Sequence, residues 1–241
     1  MSKELNHVKM ECSTPNALVW VKENVIIDKR TTISVDDGFK VYVVRGGSSG
    51  YMGAPIGACK NANLFDVTGL TKKESKCSDT YSFYYYVSSN RHSDFSWGTQ
   101  GSALEPLLNV PFKYGASGTY TISITSPRIL FEALGRKSPV IAEDIEGPRG
   151  KPTKIFRHIQ EKASVAITNF IKEQKLSAFD LDSKKTAVAN AVLLELNKDT
   201  AIFDKMGISL LDISVPNLGL NEDEEANLKA LLEQKKAKES H

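Results

Sequence analysis

The alternation of apolar and polar positions changes period about halfway along the chain. From Leu18 to about Thr125 the period is two: Leu18-Val19-Trp20, Val25-Ile26-Ile27, Thr32 to Val35, and Phe39 to Val44 read as strands. Asp36-Asp37-Gly38 between the last two predicts a tight hairpin, because glycine accepts the positive φ such turns need. Tyr81 to Val87 carries too many rings for a loop and predicts a strand packed on both faces. Gly118 to Ile124 alternates, with Tyr120, Ile122 and Ile124 set toward one side.

At Ser126-Pro127 the period becomes helical. Ser126 as N-cap, Pro127 at the first helical position and Gly135 beyond the end frame a short helix. Ile155, Ile159, Ala163, Ala166 and Phe170 share one face of a longer helix over about 152–175. A further helix is predicted over about 182–206, stopped by Gly207. Strand texture returns from Ile208 to Val215 and ends at Pro216; a last helix opens at Asn221, acidic first and basic later, in keeping with the helix dipole. Strands followed by helices argue for an α+β architecture.

Residues 1–16 are polar and read as a flexible lead-in. The stretch Arg45 to Gly53 invites comparison with a phosphate-binding loop, but no Gly-Lys-Ser/Thr closes it, and a mobile hairpin loop is the better account. With 41% hydrophobic and 25% charged residues, the 241-residue chain falls in the globular range. A net charge of +2 calls for no polyanionic partner, and no nucleic acid is expected. Three widely spaced cysteines, Cys12, Cys59 and Cys77, fit neither a disulfide framework nor a zinc pair. With no apolar leader and no stretch long enough to cross a bilayer, the expected place is the cytoplasm, with at most peripheral contact at the inner face of the cell membrane.

Candidate chemistry is sparse. His7, His92, His158 and His241 sit in polar surroundings, and His92-Ser93-Asp94 is a triad only by nearness in sequence. Glu143, Asp144 and Glu146 read as a solvated acidic loop. No catalytic residue, metal site or cofactor is expected. Arg149, Lys151, Lys154 and Arg157 form a basic run without an acid, a candidate contact for anionic lipid headgroups; a solvated helix start is the plainer reading.

The segment Gly207-Ile208-Ser-Leu210-Leu-Asp-Ile213-Ser-Val215-Pro216, between helices ending at a glycine and a charged helix, resembles the SPFH (band 7) superfamily of stomatin, prohibitin and flotillin. Phe83 to Val87, then Trp97-Gly98-Thr99, then Gly118-Thr119-Tyr120 with Ile122 and Ser126-Pro127, resemble its soluble bacterial, virion-core-protein-like branch. Leu18-Val19-Trp20 matches that branch too. The resemblance implies an SPFH domain over 17–216, a twisted, mainly antiparallel sheet against amphipathic helices, and a C-terminal helix over 217–241 that begins an assembly region. It implies a non-catalytic scaffold that self-associates, with Leu228, Leu231 and Leu232 as candidate contacts, and that organises protein partners near a membrane. A monomeric or small-oligomer protein-binding adaptor in envelope-stress or phage-defence systems is the alternative. The branch commonly continues into a zinc ribbon; this chain ends at His241 without one, as a trimmed chain or a short member would.

Overall fold

A computed structural model describes residues 7–10, 14, 17–48, 50–69, 79–88, 93–147 and 153–239. The fold is α+β. The chain forms two compact units. Unit 1 comprises 1–93, 123–145 and 204–209; unit 2 comprises 94–122, 146–203 and 210–241.

Unit 1 holds two three-stranded sheets. In one, β1 (His7–Lys9), β3 (Thr32–Val35) and β5 (Cys59–Asn63) lie in the order β1-β3-β5; in the other, β2 (Val19–Ile26), β4 (Phe39–Arg45) and β6 (Thr80–Val87) lie in the order β2-β6-β4. The lead-in expected to be flexible therefore carries a strand, and Val8 is 2% exposed within the core. The Asp36-Asp37-Gly38 turn forms, with Phe39 N–H donating to the Asp36 carbonyl at 3.1 Å and Gly38 at φ 81°. It does not make a hairpin: β3 pairs with β1 and β5, whereas β4 pairs with β6. A turn fixes chain reversal over four residues; which ladder each strand joins is set by its apolar face. Val25 to Ile27, expected as a separate strand, largely continues β2 after a bulge beyond Lys22, near which Asn24 adopts φ 59°.

The aromatic strand β6 is central and packs on both faces, as expected. Tyr81, Phe83 and Tyr85 enter a core with Val8, Ile33, Val41, Val43 and Leu64. On the opposite side Tyr86 stacks with Tyr42, and Tyr84 meets Phe131 edge-on. A short helix α1 (Leu64–Thr68) follows β5 and is capped by Asn63.

Helix α2 (Pro127–Ala133) starts where Ser126-Pro127 places it, yet the Ser126 side chain makes no cap bond. Its hydroxyl meets the Tyr51 hydroxyl at 2.8 Å, and Tyr51 accepts the Arg128 N–H at 3.0 Å. Tyr51 thus supplies the cap, stacked on Tyr42 at 4.0 Å. This corrects the reading of Arg45 to Gly53 as a mobile loop: Met52 N–H donates to Val43, Gly46 N–H to Thr80, and Arg128 donates to the Ser48 carbonyl. Helix α3 (Ala142–Glu146) replaces the acidic loop; Asp144 accepts the Ile141 N–H and pairs with Lys137.

Unit 2 is built on a hairpin of long strands, β7 (Ser93–Glu105) and β8 (Val110–Ile124), extended by β9 (Ile208–Ile213) and β10 (Asn217–Gly219), both paired with β8. Phe95, Trp97, Phe112, Tyr114, Ala116, Tyr120 and Ile122 are buried. Helix α4 (Lys154–Glu173) buries the expected positions Ile155, Ile159, Ala163 and Ala166 and packs against α5 (Lys185–Asn197). The helix expected over 182–206 is broken. A 3-10 turn (Ala178–Lys184) leads into α5, and Asp199 caps a separate α6 (Ala201–Asp204), because the polar run Asn197 to Thr200 offers nothing to bury. Strand β10 was not legible in sequence. Helix α7 (Glu222–Glu239) begins at Asn221, whose side chain accepts the Glu224 N–H at 2.8 Å.

Candidate functional site

The motif residues of unit 2 converge on one crossing. The Trp97 indole N–H donates to the Ser214 carbonyl at 3.1 Å, and Ser214 N–H donates to the Thr119 carbonyl at 2.8 Å. Gly118 lies so close that a Cβ would stand 2.0 Å from the Ser214 oxygen and 2.7 Å from Pro216. Trp97, Gly118-Thr119 and Ser214-Val215-Pro216 are therefore one packing solution, and their role is structural. Beneath it Tyr120 stacks on Phe95 at 5.1 Å. Its hydroxyl is buried with no partner among the described residues; burial pushes its pKa up, and the Glu146 charge adds to this.

Beside this crossing lies an open groove of about 910 Å³ lined by Gly98, Gln100, Gly115, Ser117, Gln160 and Asn217, among others. A smaller cavity of about 360 Å³, lined partly by Lys113, Gly219 and Asn221, shares Gln100, Gly115 and Asn217 with it. A Cβ at Gly115 or Gly219 would meet nothing within 4 Å, so the floor is bare backbone. One wall comes from α4. Gln160 donates to the Gly98 carbonyl at 2.6 Å and Ser164 to the Gln100 carbonyl at 3.2 Å. Four helical residues advance about 6 Å and two strand residues about 6.6 Å, so this pair covers alternate carbonyls of β7, the last strand of its sheet. Tyr114 ties strand to helix, donating to the Ser164 carbonyl at 3.0 Å with Thr168 at 2.8 Å; burial raises its pKa and these bonds partly offset the rise. A lining of carboxamides, hydroxyls and glycine, with the Glu161 carboxylate and Val165 beside them, suits an extended polar chain.

Helix α7 lies along the same hairpin. Glu224 accepts the Lys113 N–H at 2.9 Å, and Lys235 donates to the Leu107 carbonyl at 2.6 Å. Of the three leucines expected to mediate self-association, Leu228 is 1% exposed, already covered within its own chain; Leu231 and Leu232 are half-buried. Residues Glu233 to Lys238 are exposed.

Of the basic run, Arg149 and Lys151 lie outside the described residues. Lys154 and Arg157 are exposed on the first two turns of α4, with no ion-pair partner among the described residues. Farther along α4, Lys162 pairs with Glu195, which Lys198 also holds; the Lys198 hydrogen bond lowers the Glu195 pKa. His92 and His241 lie outside the described residues. His7 Nδ1 is 2.8 Å from the Thr32 hydroxyl, and His158 Nε2 is buried without a partner among the described residues, its ring edge-on to Phe203. The carboxylates 143–146 do not act as one group: Glu146 accepts the Ser96 N–H, while Asp144 serves α3. Cys59 is a free, half-buried thiol; Cys12 and Cys77 lie outside the described residues. Among the described residues there is no group of three or more His, Cys, Asp or Glu able to hold a metal, and no helix long and apolar enough to cross a membrane.

Sequence reasoning missed Glu105. It is wholly buried and accepts from Leu107 N–H, Ser177 Oγ and Ala178 N–H, joining the hairpin turn to the start of the 3-10 turn. Nothing in the local sequence singled it out.

The sequence model of the SPFH domain-Band 7 family matches residues 77–236. The chain belongs to the SPFH domain-Band 7 family. Its members are membrane-associated proteins of scaffold type. The match takes in the Trp97–Ser214 crossing, the groove and most of α7. No curated protein matches the chain.

Proposed function

We propose that this SPFH chain is a non-catalytic scaffold that self-associates through α7 and gathers protein partners at a membrane surface. One observation carries the reading: α7 is held to its own unit through Glu224 and Lys235, yet Glu233 to Lys238 are all exposed and that stretch has no apolar face of its own. A polar helix of this kind gains little from its own chain and is stabilised by packing beside another. The domain over 17–216 would form the body and 217–241 the start of the assembly region, with the half-buried Leu231 and Leu232 as the contact. The motif order from Trp97 to Pro127 supports placement in the soluble bacterial branch.

Particle mass in solution tests this reading. The full chain should give particles of many protomers, and a chain ending at Leu220 should give protomers; a strictly monomeric full chain overturns it. The unpaired Lys154 and Arg157 support contact with anionic lipid at about 1 kcal/mol each. Replacing Arg149, Lys151, Lys154 and Arg157 by Glu should abolish salt-sensitive sedimentation with anionic liposomes; unchanged sedimentation refutes lipid contact while leaving assembly intact. The groove favours a second reading, the adaptor. A small particle that holds a bound protein partner would support it over the scaffold.

A further inference from the structure

We propose that the edge of β3 in unit 1 is a strand-exchange slot: closed in its own chain by His7–Lys9, it accepts the same segment from a second copy. The slot has three parts. A backbone ladder on β3 takes three residues in parallel, His7 opposite Thr32, Val8 opposite Ile33 and Lys9 opposite Ser34. An apolar hole in the core takes Val8, which is 2% exposed beside Ile33, Val35 and Leu64, with Met10 packed at its margin. The Thr32 hydroxyl meets the His7 ring at 2.8 Å. The other side of β3 is taken by β5, so a strand from a second copy can pair with β3 only in place of β1.

The occupant is held lightly. A parallel ladder is weaker per residue than an antiparallel one, and this one is three residues long. Only Val8 is fully buried; His7 and Lys9 are exposed. Fixing even a few backbone residues costs free energy comparable to what one buried valine and three ladder positions return. The core that receives Val8 is, by contrast, large: Phe83, Tyr85, Leu64 and seven further buried residues make up the rest of its cluster. A lightly held strand in a preformed slot exchanges with an identical strand on a neighbouring chain, because both bonded states contain the same contacts. This gives unit 1 a contact between copies independent of α7.

Two full-length chains test it, both with Cys12, Cys59 and Cys77 replaced by Ser, one carrying Lys9→Cys and the other Ser34→Cys. These positions face each other across the ladder, within disulfide reach when the strand is exchanged. Mixed and oxidised, they should give a covalent heterodimer that rises with concentration and is lost when the first chain also carries Val8→Asp. A heterodimer yield that Val8→Asp leaves unchanged, or none at all, overturns the exchange. A second measurement covers misfolding of those variants. A labelled peptide of residues 3–11 should bind the full-length Val8→Asp chain, whose slot is vacated, and bind the parent chain about tenfold more weakly. Failure to bind a folded Val8→Asp chain also overturns it.

Discussion

Gly118→Ala should unfold unit 2 at a temperature roughly 10 °C lower than the parent, corresponding to a loss of about 3 kcal/mol. The added Cβ would lie 2.0 Å from the Ser214 carbonyl oxygen and 2.7 Å from the Pro216 ring. Neither can yield: Ser214 is bonded to Thr119 on one side and to the Trp97 indole on the other. The strand must move as a whole and forfeit those bonds. Trp97, 3% exposed, reports the event, and in a Trp20→Phe background it is the sole tryptophan, so its fluorescence follows unit 2 alone. Gly219→Ala is the control. Its Cβ meets nothing within 4 Å, and a change within about 0.5 kcal/mol is expected. An equal loss for both variants would show that close approach at the crossing is not what requires glycine.

Glu105→Ala should cost about 3 kcal/mol, since the buried Ala178 N–H, the part-buried Leu107 N–H and the Ser177 hydroxyl lose their common acceptor. Glu105→Gln should cost nearly as much. It keeps one acceptor and turns the other into a donor facing donors. Thermal unfolding measures the loss, and hydrogen exchange localises it: the Leu107 and Ala178 amides should exchange faster, with Leu18 and Val41 in unit 1 unchanged. If Glu105→Gln keeps parental stability, the three-bond acceptor role is refuted.

Those two residues mark the boundary of what was legible in the chain. The position of Gly118 in a motif was visible, but not what crowds it, because Ser214 is 96 residues away. Glu105 had no pattern to reveal it, since its partners come from 2 residues away and from more than 70. Local signals fared better. Period-two alternation placed Tyr120, Ile122 and Ile124 on the buried side, and the helical spacing of Ile155 to Ala166 found the buried face of α4. Where local chemistry and packing compete, packing decided: Ser126 sits at the start of α2 as its type suggests, yet Tyr51 caps the helix. Asp36-Asp37-Gly38 turns the chain as its residues require, yet delivers its two strands to different sheets.

Periodicity and capping residues, which act within a few residues, were enough by themselves to indicate an α+β chain, and the order of the motifs gave the resemblance to the SPFH superfamily that the family model shows. The division into two units, the strand at His7–Lys9, the broken second half of the helical region and the bare groove on β8 were decided only in three dimensions. Each depends on which distant surface buries a given side chain: Val8 is an apolar residue between two exposed ones in a polar lead-in until a core 25 residues away receives it.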